Sequence, residues 1–269
     1  MKPMVTFLAI FAATSINLSV AAFMPSLAFA QVKLPEAAQT RVEGAMETDH
    51  LSHGLPHWRM QSLRIAHGSG PRDVREIELL QTRRFGLDDQ QVRAVYVTAL
   101  SNALTATLAA QVSPTHRILA RYGVEGNLQY EFAPAWLLLG GFSLTRYDYD
   151  KALQASLGLE HYFSDFSVAA VWRPGYALGV RTHGFAARAA FYYAQNSSIG
   201  VLLSHGQEAS AQATTVLGST VLLSDVRAIT LVGRHALTPQ WALNYALGRT
   251  KQADFYQRTS ARVGVQYTF

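Results

Sequence analysis

Hydrophobic and polar residues alternate through most of this chain. In Trp241–Arg249, the residues Trp241, Leu243, Tyr245 and Leu247 share one parity, and Ala242, Asn244, Ala246 and Gly248 share the other. Leu153–Phe163, Tyr122–Phe132, Phe185–Tyr193 and the final SARVGVQYTF read the same way. A period of two belongs to a β-strand with two chemically different faces. Each stretch is roughly ten residues, the length a tilted strand needs to cross a bilayer. Hydrophobic residues make up 49% of the chain and charged ones only 15%. Beyond residue 30, however, no apolar run of about 20 residues offers a transmembrane helix. The hydrophobicity is distributed by alternation, which points to strands that meet lipid on one face.

The pattern divides residues 45–269 into about 14 strands: roughly 45–54, 58–68, 73–84, 90–100, 103–112, 121–132, 136–147, 152–163, 166–173, 184–193, 198–206, 225–236, 241–249 and 259–269. Twelve strands after an N-terminal tail is the alternative, because Trp58–His67 alternates poorly. Short turn clusters (Ser101-Asn102, Ala133-Pro134-Ala135, Ser164-Asp165, Gln195-Asn196-Ser197, Thr238-Pro239-Gln240) take turns with longer links near 113–120, 173–183, 206–223 and 250–257. Short and long connections sorted to opposite ends predict an all-β, antiparallel, up-and-down transmembrane barrel with short periplasmic turns. Aromatics near the short turns (Phe132, Trp136, Tyr162, Phe163, Phe166, Tyr192, Tyr193, Trp241) fit an interfacial girdle. The last strand must close against the first, since an unpaired edge in lipid is costly. Tyr267 and Phe269 then lie at the periplasmic interface, and a terminal alternating strand that ends in Phe resembles the signal by which outer-membrane proteins engage the barrel-assembly machinery.

The first 30 residues read as a signal peptide: Lys2, a mostly apolar stretch, then Ala28-Phe29-Ala30 before the cleavage point. Cleavage there leaves 239 of the 269 residues, with 31–44 as a short periplasmic segment ahead of the barrel. There is no cysteine, which excludes disulfides and thiolate metal sites. The net charge of +5 falls to +4 once Lys2 is removed and is spread along the chain. That favours phosphorylated lipopolysaccharide or an acidic glycan over nucleic acid, which calls for a concentrated patch.

Charges on the inward parity define a lumen: Glu125, Glu131, Glu160, Arg188, Arg234 and Arg262. A second set falls at the external ends of five hairpins: Arg83, Arg84, His116, Arg117, Arg146, Asp148, Asp225, Arg227, Tyr256 and Arg258. This set reads either as loop-packing ion pairs or as a collar whose arginines bind a phosphate or uronate-bearing glycan. His50, His53 and His57 cluster without an acidic or cysteine co-ligand, so no metal is expected there. A hydrolase would need Ser113, His116, Ser224 and Asp225 to meet, and they come from different hairpins.

RRFGLDDQQ, VSPTHRILARYGVEGNLQYEF and LSDVRAITLVGRHALTPQWALNYALGRTKQADFYQRTSARVGVQYTF resemble, in order and spacing, the YaiO family of outer-membrane β-barrels, over roughly residues 45–269. The resemblance implies an outer-membrane barrel and brings no substrate or catalytic residue. The expectation is a monomeric barrel without cofactor or enzymatic activity. It is either a narrow pore or export port for a small anion or glycan, or a non-conducting barrel with an external arginine collar. Its partners are outer-membrane lipids and lipopolysaccharide.

Overall fold

In the computed structural model the described residues are 38–269, except 195, 216 and 217, together with the side chains of 211–215, 218 and 219. The expected signal peptide and most of the segment that follows it lie outside them. Fourteen strands form one closed antiparallel barrel: β1 (Gln39–Leu51), β2 (Trp58–Gly70), β3 (Asp73–Arg84), β4 (Leu87–Ala99), β5 (Leu104–Val112), β6 (Tyr122–Ala133), β7 (Trp136–Arg146), β8 (Lys151–Tyr162), β9 (Phe166–Ala177), β10 (Val180–Tyr193), β11 (Ser197–Thr215), β12 (Gly218–Ala236), β13 (Trp241–Gln252) and β14 (Tyr256–Thr268). Each strand pairs with its sequence neighbours. The ring shuts where β14 meets β1, from Arg41 opposite Thr268 to Leu51 opposite Arg258. Closure leaves no open sheet edge to face lipid along the wall that β14 and β1 complete.

Alternation decides which face each residue takes. On β8 the outward Leu153, Leu157 and Leu159 are exposed, whereas the inward Glu160 is fully buried. On β14 Val263 and Val265 face out and Gln266 faces in. The girdle forms at the end that carries Gln39 and Phe269, from Phe132, Trp136, Phe163, Phe166 and Trp241. There Tyr267 packs edge-on against both Trp241 and Phe269 at 4.7 Å. Tyr162 and Tyr192 do not join it. They share the parity of the inward Glu160 and Ala190, and the Tyr192 hydroxyl lies 3.1 Å from Ser167 Oγ inside the barrel.

Two sequence expectations need correction. The barrel starts at Gln39, not residue 45, because in β1 the charged Arg41 and Glu43 are the inward residues and Val42 the outward one. Three of the four long links are mostly strand. The span 173–183 contains the end of β9, the turn Leu178-Gly179 and the start of β10. Leu178 and Gly179 both have positive φ (50° and 81°), as do Phe85 and Gly86 (53° and 78°). Such pairs make two-residue hairpins whose twist matches the strands. Pro174, which reads as a breaker, sits within β9, and the ladder to β8 lapses there, between Gln154–Gly175 and Leu157–Trp172. Only 113–121 is a true loop among these links.

The register makes a direct prediction. Arg in place of Leu157 at mid-strand on the lipid face should cost about 2–4 kcal/mol, and Arg in place of lumen-facing Ser156 much less. Denaturant unfolding in lipid vesicles measures both; equal losses would contradict the alternation.

Candidate functional site

The inward face has two unlike walls. On β1–β4 and β14 it is ionic. Glu43 accepts from Arg262 at 3.2 Å and from Asn244 at 3.0 Å, with Arg64 at 3.8 Å. Arg64 also reaches Glu76 (3.6 Å) and Glu78 (3.5 Å). Arg93 meets Glu125 at 3.5 Å, and Asn127 donates to the same carboxylate at 2.7 Å. Arg234 donates to Gln266 at 2.7 Å and to the Asn196 carbonyl at 3.2 Å. These partners sit on strands one or two steps apart, so the contacts run along the wall. The opposite wall, β8–β13, is richer in small residues, including Ser156, Gly158, Ala186, Ser204, Ala228 and Ala246, with Glu160, Arg173, Arg188, Glu208 and Arg234 spaced among them.

Between the walls lies a cavity of about 430 Å³. Among the described residues its charged lining is six arginines (Arg84, Arg93, Arg173, Arg188, Arg258, Arg262) against five glutamates (Glu47, Glu78, Glu125, Glu160, Glu208). Hydroxyl and amide side chains such as Gln111, Ser143, Gln154, Thr182, Thr230 and Thr250 fill much of the remainder. Towards the terminal end the space closes. Glu160 and Ser167 have no exposure and Ala190 only 2%, although all three point inward. Inward residues without exposure are covered by neighbouring side chains, so the lumen narrows at that level. At this level lie the buried ion pair of Glu160 with Arg188 and the Tyr192 hydroxyl on Ser167, with an apolar cluster of Val171, Ala186, Leu202, Val232 and Ala246 further along the wall.

At the far end, opposite Gln39 and Phe269, the mouth centres on Trp58. The Arg84 guanidinium lies 4.9 Å and that of Arg258 5.5 Å from its ring, with Phe85 and Tyr256 edge-on. Arg258 also pairs with Asp49 at 3.8 Å. Glu208 accepts from Gln252 at 3.1 Å. In the loop 147–150, burial pushes the Tyr147 phenol up to about 12, and the nearby Glu208 carboxylate adds to the shift.

The residues singled out from sequence are placed as follows. Glu125, Glu160, Arg188, Arg234 and Arg262 point into the barrel. Glu131 does not line the lumen: it lies beside the Ala133/Trp136 hairpin, exposed, and accepts from the Ala135 amide at 3.1 Å. The external set does not form one collar. Arg84, Tyr256 and Arg258 converge on Trp58. His116 pairs with Asp148 at 3.0 Å across two loops, and Arg117 reaches Asp89 at 3.6 Å. Arg83, Arg146, Asp225 and Arg227 fall on the outward parity, because Arg83 and Arg146 lie an even number of residues from the exposed Leu79 and Phe142, and Asp225 and Arg227 from the exposed Ile229. Ser113, His116, Ser224 and Asp225 make no triad: the His116 ring contacts the Ser113 carbonyl at 2.9 Å, and Ser113 Oγ accepts from Gln91. His50 and His57 meet through their Nδ1 atoms at 3.2 Å on the outer surface, while His53 contacts Ser52.

Sequence reading missed Glu43, Arg64, Glu76, Glu78, Arg93 and Trp58. A signal was present: Leu63 and Ile65 flank Arg64, and Ile77 and Leu79 flank Glu78, the mark of a strand with charges inside and lipid outside.

Residues 39–210 match the family model of the YaiO membrane beta barrel domain. A comparison with curated proteins finds no match. Among solved structures, the CymD monoaromatic hydrocarbon channel is similar at TM-score 0.54 and 10% identity, covering 88% of this chain and 89% of that one. Omp33 of Acinetobacter baumannii is similar at 0.52 and 8% identity, over 86% and 99%. A loop L8 deletion mutant of OmpT, an outer membrane protein of Vibrio cholerae, is similar at 0.50 and 5% identity, over 87% and 99%. At these identities the likeness is one of fold.

The buried pair yields the next prediction. Arg188→Ala leaves the Glu160 carboxylate buried without its cation and should cost about 3–5 kcal/mol. Glu160→Ala with Arg188→Ala should cost clearly less than the sum of the single changes. A double-mutant cycle by denaturant unfolding measures the difference; additive losses would mean that the two side chains do not act as a pair.

Proposed function

The chain belongs to the YaiO membrane β-barrel family, and on that premise, with the lumen just described, we propose that this outer-membrane barrel is a narrow pore for a small polar solute of negative charge, a simple anion or an acidic glycan. The observation that carries the reading is the cavity. Its ion pairs join strands one or two steps apart on the ring, which supports a space that stays open from the mouth down to Glu160–Arg188. The excess of arginine over glutamate favours anions, and the hydroxyl and amide groups can replace the hydration of a sugar or anion. Arginine forks suit carboxylates in particular. The Glu160–Arg188 floor restricts passage at the periplasmic side, so the pore is one that conducts sparingly.

A second reading is favoured by the mouth. Trp58 lies between two arginines, and its indole Nε1 is buried without a hydrogen-bond partner among the described residues. That arrangement suits a barrel that holds a glycan at its outer opening and passes nothing.

Planar-bilayer recording separates the two. The wild-type protein should give small discrete conductance steps. Glu160→Ala with Arg188→Ala should enlarge them, and Arg173→Glu, on the cavity lining, should move the ion preference towards cations. Silence of both the wild type and the double variant would overturn the pore and leave the binding reading.

A further inference from the structure

The outer surface of the barrel differs between its two ends. At the terminal end the outward positions are largely aromatic, and the cation there, Arg75, is held by Asp73 at 3.9 Å and lies over Tyr96. At the far end several outward positions are cationic, and these cations stand next to one another. Arg59 on β2 is directly opposite Arg83 on β3, and Arg146 on β7 is opposite Lys151 on β8. His205, Arg227 and Lys251 stand side by side across β11, β12 and β13, with Arg249 two residues from Lys251 on the same face. All four of this last group are exposed.

Like charges directly opposite one another destabilise a sheet. Acids relieve part of this: Asp88 is 4.0 Å from Arg83, Asp254 is 3.8 Å from Lys251, and Asp225 precedes Arg227 by two residues. These carboxylates lie towards the turns. On the other side of the cluster, towards the membrane, stand the exposed Leu203, Ile229 and Leu247. Cations above and apolar side chains below match a molecule with an anionic head and acyl chains.

We propose that His205, Arg227, Arg249 and Lys251 form a binding site for the phosphate groups of a phosphorylated membrane glycolipid, lipopolysaccharide, whose acyl chains lie along Leu203, Ile229 and Leu247. Arginine forks match phosphate geometry, and cations near a membrane surface attract its anionic lipids. The apolar strip selects a phosphate that carries acyl chains over a free one. Arg59–Arg83 and Arg146–Lys151 extend the same belt around the rim. The site is on the outside of the wall, so it stands or falls separately from the pore.

The probe is lipopolysaccharide added to the purified protein in a zwitterionic detergent, with bound lipid measured by native mass spectrometry. Wild type should bind it, excess inorganic phosphate should not displace it, and enzymatically dephosphorylated lipopolysaccharide should bind far more weakly. R227Q/R249Q/K251Q should weaken binding about a hundredfold, at roughly a factor of five for each cation near a membrane surface. The variant's gel mobility before boiling reports whether the barrel has formed. Should it fail to fold, a salt titration of the wild type decides, because binding through phosphates must weaken as salt screens the charges. Equal affinity of the folded variant and wild type, equal affinity for the dephosphorylated lipid, displacement by inorganic phosphate, or insensitivity to salt would each overturn the proposal.

Discussion

A backbone amide has no water to turn to inside a bilayer, and that single fact organises this molecule. Each strand must give its N–H and C=O groups to a neighbour, so the row of strands has to become a ring. The pairing of β14 with β1 is therefore the contact on which the others depend. It brings together groups from the two ends of the sequence: Arg262 and Glu43 are 219 residues apart and meet at 3.2 Å only because the ring is shut. Ser52 Oγ accepts from the Gln257 amide at 2.9 Å on the same seam, and the Phe269 amide donates to the Thr40 carbonyl at 2.9 Å.

Closure also sorts the charges. An ionised side chain next to lipid is expensive, so at mid-strand on β1–β4 the charges Glu43, Arg64, Glu76, Glu78 and Arg93 turn inward, where they pair. Because alternation places charged residues two apart along a strand, partners arise on the next strand or the one after it. The result is a mesh on the wall, with Glu43 bound by three strands' worth of donors and Arg64 by two strands' worth of acceptors. The small residues on β8–β13 reach less far into the barrel between their charged neighbours, and that leaves room for a cavity. Where Glu160 and Arg188 pair next to valine and alanine, the lumen narrows.

Much of this was legible in the sequence, for a reason that is specific to barrels. A strand between lipid and lumen must alternate, so β3 could be read at Asp73–Arg84, the bounds it has. Strands β11 and β12 were read much too short: Gly206, Gln207, Glu208 and Ser210 look like a polar link, yet they continue the ladder with β12 at Gly206–Val226, Gln207–Asp225, Glu208–Ser224 and Ser210–Leu222. Parity also fails at strand ends. Arg83 and Arg84 are adjacent, and which one faces the mouth depends on a turn whose geometry is set by Phe85-Gly86, not by hydropathy. Contacts between strands distant in sequence carry no local trace at all. No spacing in the chain announces that Trp58 will lie between Arg84 and Arg258.

The tallest hairpin has one more consequence. Strand β11 leaves its partner β10 at Gly206, and β12 leaves β13 at Val226, yet the two continue together to Thr215 and Gly218. Above that height each carries one unpaired ladder edge. Bare edges are tolerable in water and not in hydrocarbon, so the height at which the neighbours drop away is a ceiling on how deep the barrel can sit. His205 and Arg227 stand at that same height on the outer face. Two unrelated chemistries, an open backbone and a row of cations, thus mark one waterline, and the protein carries its own draught mark.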